Sequence, residues 1–209
     1  MELFFLLISL VILVFSAILH EVAHGFVADR FGDPTARLMG RLTLNPKPHI
    51  DPMMTIFLPL LLLFSGSPVI FGGAKPVPVD PYNFREGRKD MALVSLAGPG
   101  TNIILAVSAA LLIRLFSVIA PIDFVLYFLG IVVHINLLLA IFNLLPIPPL
   151  DGSKIVALLL PEKDARAYLN IGNMGMAILF FLLFFPIGGF SLGSFIFRLV
   201  ELSKSILLP

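Results

Sequence analysis

The chain has 209 residues, of which 58% are hydrophobic and 13% charged, with a net charge of +1. A soluble domain carries about a quarter charged residues, so this composition excludes an ordinary water-soluble globule and points to lipid as the surrounding solvent. The near-neutral balance gives no reason to expect a nucleic-acid partner, and the absence of cysteine excludes disulfides and thiolate metal sites.

In chain order, the first apolar run, Leu3–Leu19, has an acidic residue, Glu2, ahead of it and ends at His20-Glu21 rather than at a small-residue cleavage site. It reads as a retained membrane helix over about 3–28 and not as a signal peptide. Three further segments, about 91–114, 124–145 and 174–200, are long and apolar enough to span. The last is expected to kink or break at Phe185-Pro186-Ile187-Gly188-Gly189. A fifth segment, 53–66, is short and contains Pro59, so it reads as re-entrant or as a short fifth helix. The loops 29–51, 67–90 and 146–173 carry most of the lysines and arginines. With four spans and the N-terminus outside, all three lie on the cytoplasmic face; five full spans is the alternative. The expectation is an all-α, multi-pass protein of the prokaryotic cell membrane, a single domain over 1–209 with its core in 1–160 and a C-terminal helical segment in 161–209. Residues 75–79, KPVPV, permit an edge strand but not a central one, because of Pro76 and Pro78. Gly189 and Gly193 form a GxxxG, a weak dimer signal, and nothing else supports a homo-oligomer.

Late in the first helix stands His20-Glu21-Val22-Ala23-His24. Positions i and i+4 share a helix face, so the two imidazoles can grip one metal ion while the intervening carboxylate addresses a water as general base. Each ionised side chain at a bilayer centre costs about 2.5–3.5 kcal/mol on insertion scales, so such a cluster in an apolar helix calls for a function. A catalytic zinc site takes three protein ligands. The best third candidate is Asp151, which follows the proline-interrupted run Asn143-Leu-Leu-Pro146-Ile-Pro148-Pro149-Leu150. Irregular backbone at membrane depth is tolerated where it lines a polar cavity. The competing role for Asp151 is an ordinary helix N-cap. His49 and His134 are second-shell candidates, His134 chiefly as an interhelical hydrogen-bonding group.

The ordered pair of HExxH and NLLPIPPLDG, about 120 residues apart, resembles the site-2 protease family of intramembrane zinc metalloproteases, in its compact branch without PDZ or CBS domains. The resemblance covers about residues 16–155. It implies one Zn2+ held by His20, His24 and Asp151, Glu21 as general base, and Asn143 contacting substrate or oxyanion. It also matches Gly98, Pro99 and Asn102 to the family's Gly-Pro-x-x-Asn stretch, placing Asn102 near substrate. Gly72–Pro81 is similar to a membrane-associated β region that holds substrate extended, which makes Lys75, Pro76, Val77, Pro78 and Val79 substrate-binding candidates. The implied activity is hydrolysis of peptide bonds in transmembrane protein substrates, in the cytoplasmic half of the bilayer. An inactive adaptor on the same fold and a transporter are the competing classes; no inverted repeat supports the latter.

Overall fold

The computed structural model describes residues 2–57, 61 and 74–208. Helix α1 (Glu2–Arg30) is followed by the short α2 (Thr35–Leu38), a 3-10 turn at Lys47–His49 and a π-helical turn at Pro52–Phe57. Then come α3 (Arg88–Ile119), α4 (Asp123–Asn143), α5 (Asp151–Leu159), α6 (Glu162–Leu169), α7 (Gly172–Phe184) and α8 (Leu192–Leu207). Most of the segment 53–66 and the Gly72-Gly73 turn lie outside the described residues.

Among the described residues three helices, α1, α3 and α4, are long and apolar enough to cross a membrane. The 29 residues of α1 extend about 43 Å, more than the roughly 30 Å hydrocarbon thickness. One stripe of α1, with Phe4, Leu7, Val11 and Phe15, is exposed; the opposite row, Ile12, Ser16, His20, His24 and Ala28, is buried. The four-residue step of that row keeps it on one face, so the polar side chains point into the bundle and the apolar ones outward, as lipid requires. Helix α3 is central and packs on α1, α4 and α5. Its inner face uses small residues, Ser95, Gly98, Ala106, Ala109 and Ala110, which let neighbouring backbones approach closely. The apolar core is built elsewhere: Ala106, Ile113, Leu129, Val133 and Leu137 meet Leu179, Leu192, Ile196 and Val200 of α7 and α8.

The fourth expected span, 174–200, is not one helix. Helix α7 stops at Phe184; Ile187 and Phe190 exchange both backbone hydrogen bonds, at 2.9 Å each, across Gly188 (φ 57°) and Gly189 (φ 83°). Two successive positive-φ residues make a two-residue hairpin turn, so of the expected kink or break it is a break, and the chain reverses there. A bent pair, Glu162–Leu169 with Met174–Phe184 at 65°, is the remaining candidate for a fourth crossing. Because Gly189 sits in the turn and Gly193 in α8, the GxxxG does not form a helix face.

The β-like segment is also corrected. Residues 74–80 form no strand. Pro76 and Pro78 offer no N–H, and Lys75 N and O, Pro76 O and Val77 N bond to other parts of the chain. The far end is tied down by Asp33, which is fully buried. Its carboxylate accepts from Asp80 N (2.7 Å), Asn83 Nδ2 (2.9 Å), Thr35 N (3.1 Å) and the Thr35 hydroxyl. Burial opposes ionisation, but these donors outweigh it and hold the Asp33 carboxyl below its ordinary pKa. A depressed folded-state pKa adds stability that is present above about pH 4, the unfolded value, and is lost as pH falls through the folded one. Thermal unfolding in detergent between pH 6 and pH 3 should therefore show a lower midpoint for Asp33→Ala at pH 6, with a smaller acid-induced decline than the parent.

Candidate metal centre

Helix α1 carries His20 and His24 one turn apart, and α5 brings Asp151 to the same point from 127 residues away. His20 Nε2 and His24 Nε2 are 3.0 Å apart, and each lies 3.2 Å from Asp151 Oδ2. All three residues are buried. The alternative role for Asp151 is excluded by its position: Leu150 is the N-cap, Asp151 is the first residue inside α5, and its side chain caps nothing. Its second oxygen, Oδ1, accepts from Lys154 Nζ at 3.3 Å.

The outer edges of the rings decide what the centre can bind. His20 Nδ1 lies 2.6 Å from Asn102 Oδ1, and His24 Nδ1 lies 2.7 Å from the Val94 carbonyl. A carbonyl only accepts, so His24 Nδ1 must carry the proton. Asn102 Nδ2 donates to Asn136 Oδ1 (2.9 Å) and faces the Ser16 carbonyl (3.5 Å), which turns Oδ1 toward His20 and makes His20 Nδ1 a donor as well. In the neutral rings both Nε2 lone pairs then face each other and a carboxylate oxygen. That arrangement is repulsive unless a cation stands among them. Tetrahedral bonds of about 2.0–2.1 Å put ligand atoms about 3.3 Å apart, close to the observed spacing. The residues therefore fit zinc, with Asn102 and Val94 fixing the tautomers from behind.

Other expected residues take different places. Asn102, expected near substrate, is fully buried, with Oδ1 2.6 Å from His20 Nδ1. Asn136 and Ser16 complete that network; Asn136 Nδ2 donates to Ser16 Oγ at 3.0 Å. Neither was singled out from the sequence, where lone polar residues in apolar helices carry no motif. His49 is not among the clustered ligands; it is buried, with Nε2 2.9 Å from the Thr43 carbonyl. His134 makes no hydrogen bond among the described residues. It lines a groove of about 480 Å³ with Ser9, Tyr127 and Lys204, edge-on to Phe197 at 6.0 Å. Asn143, at the end of α4, donates to the Leu139 carbonyl at 3.0 Å. Glu21 Oε2 accepts from Val77 N at 2.7 Å, which brings the 74–80 segment against the centre.

Gly98 of α3 faces the two rings so closely that a Cβ would collide with both Nε2 atoms. Gly98→Ala should therefore lower zinc stoichiometry, read by elemental analysis, while helicity by circular dichroism is kept.

The profile of peptidase family M50 matches residues 7–123 and 117–186. The chain is 39% identical over 194 residues to "Putative zinc metalloprotease YwhC" of Bacillus subtilis, covering 90% of this chain and 84% of that protein. It is 36% identical over 173 residues to "Putative zinc metalloprotease Rip2" of Mycolicibacterium smegmatis, covering 82% of this chain and 64% of that longer protein. With "Putative zinc metalloprotease MJ0611" of Methanocaldococcus jannaschii it shares 34% over 151 residues, 72% of this chain and 69% of that one. No solved structure matches. With its apolar helices and its His/His/Asp cluster, the chain belongs to peptidase family M50, the site-2 proteases, and is a multi-pass membrane zinc metalloprotease.

Proposed function

We propose that the protein hydrolyses peptide bonds of transmembrane protein substrates within the bilayer, as one catalytic domain over 1–209, with zinc held by His20, His24 and Asp151. The observation that carries this reading is the outward-turned Nδ1 protons, which leave two lone pairs and a carboxylate oxygen converging on one point. Zinc there supplies Lewis-acid chemistry: it acidifies water and polarises a carbonyl.

Glu21 sits beside this point with Oε2 engaged by Val77 N–H, so Oε1 is the oxygen left to take a proton from the attacking water. The same carboxyl then returns that proton to the leaving amide nitrogen. Asn143 serves as an oxyanion donor once its amide is released from the Leu139 carbonyl. Burial of the centre keeps bulk water out and strengthens each of these electrostatic contacts. The centre draws on the late part of α1, the early part of α3 and the chain after α4, so it lies at one end of the bundle. The basic segments around 31–57, 74–90 and 146–171 connect at that same end, which supports placing it in the cytoplasmic half of the cell membrane. The segment 74–79 retains Val79 N–H and the Val77 carbonyl, which make no hydrogen bond among the described residues, as groups that a locally unwound substrate can pair with.

Glu21→Gln should keep one zinc per chain and reduce cleavage of a model transmembrane peptide by about 10²- to 10⁴-fold; full cleavage removes Glu21 as the base. Asp151→Ala should release zinc on dialysis, and undiminished metal content would remove it from the ligand set.

A further inference from the structure

Arg41 is 7% exposed. Arg37, Arg88 and Arg166 each pair with a carboxylate, whereas Arg41 forms no ion pair among the described residues. Its Nη2 donates to the Lys75 carbonyl at 2.7 Å and to the Pro76 carbonyl at 3.2 Å, and its buried Nε has no partner. An unpaired buried cation is expensive, so its use on two carbonyls of one segment needs an account.

The Pro76 carbonyl and the Val77 N–H belong to a single peptide group. In a trans peptide the oxygen and the hydrogen point in opposite directions. One end of this peptide accepts from Arg41, and the other donates to Glu21 at 2.7 Å. A guanidinium and a carboxylate are thus joined through one polarised amide, an arrangement in which each hydrogen bond strengthens the other. Local chemistry keeps that amide in place. Pro76 and Pro78 restrict the residues before them, Lys75 and Val77, to extended backbone, and Val77 is the only residue of 76–78 with an N–H. Lys75 N donates to the His49 carbonyl at 2.7 Å, and the Val77 side chain is buried against Gly25, one turn beyond Glu21 on the same face of α1.

We infer that Arg41 is a positioning residue for Glu21: it holds the Pro76–Val77 peptide so that the Val77 N–H fixes the orientation of the Glu21 carboxylate. The inference rests on the reading of Glu21 as the base. Among the described residues Arg41 makes no hydrogen bond or ion pair with His20, His24, Asp151 or Glu21, so its loss should leave zinc binding intact and act on turnover.

The test uses the full zinc-loaded chain in detergent, with Arg41→Met and Arg41→Lys, a model transmembrane peptide, and amide hydrogen exchange at Val77. Arg41→Met should keep one zinc per chain, lose about 10- to 100-fold in kcat, and expose the Val77 amide to faster exchange. Arg41→Lys, which keeps the charge and a donor, should recover part of kcat together with part of the protection. A parental kcat in Arg41→Met, or loss of zinc from it, overturns the inference. Should Arg41→Met not fold, Arg41→Lys decides alone: kcat must fall as Val77 exchange rises, and a kcat at the parental level overturns it. Failure here is distinct from failure of the base assignment: an active Glu21→Gln removes the base itself, whereas an inactive, zinc-loaded Glu21→Gln beside a fully active Arg41→Met removes only the role of Arg41.

Discussion

Two ring protons turned away from each other are the constraint on which this structure depends. Once His24 Nδ1–H is committed to the Val94 carbonyl and His20 Nδ1–H to Asn102, the opposite edges of both rings can only accept. Placing a carboxylate 3.2 Å from both then builds a negative pocket that a divalent cation relieves. The metal preference follows from the hydrogen bonds behind the ligands as much as from the ligands. Those bonds in turn demand Asn136 and Ser16, because lipid offers no other partner for the second amide of the chain Ser16–Asn136–Asn102.

The division of labour between helices follows from this. The polar chain lies between α1, α3 and α4, while the apolar core lies between α3, α4, α7 and α8. Helix α3 serves both, with small residues along its inner face so that α1 can approach within reach of Asn102 and Gly98. The outward surface of α1 is Phe, Leu and Val, which need only be soluble in hydrocarbon.

The clustering of His20, His24 and Asp151 and the general outline of the bundle were legible in the residue order because chemistry restricts them tightly. An HExxH pair has one helical geometry, and a carboxylate after a broken helix is conspicuous in an apolar chain. The supporting groups were not legible. Asn136 and Asn102 look alike in sequence, each a lone amide in a hydrophobic helix, and only the crossing of α1 with α3 and α4 shows which partner each one finds. His134 drew notice as an intramembrane histidine, yet it falls on the far side of α4 beside Phe197. The Gly188-Gly189 pair follows a proline, and that combination reads equally as a bend or a reversal; the two positive φ angles make it a reversal. For residues 75–79 the proline alternation suggested an edge strand, but the segment bonds instead to the His49 carbonyl and to the side chains of Arg41 and Glu21, which strand patterning cannot reveal.

The 127-residue separation between His24 and Asp151 has a consequence for biogenesis. The two imidazoles stand on α1, whereas the carboxylate follows α3 and α4 in the chain and is therefore synthesised later. During synthesis the half-formed cluster therefore lacks its third donor until α5 is made.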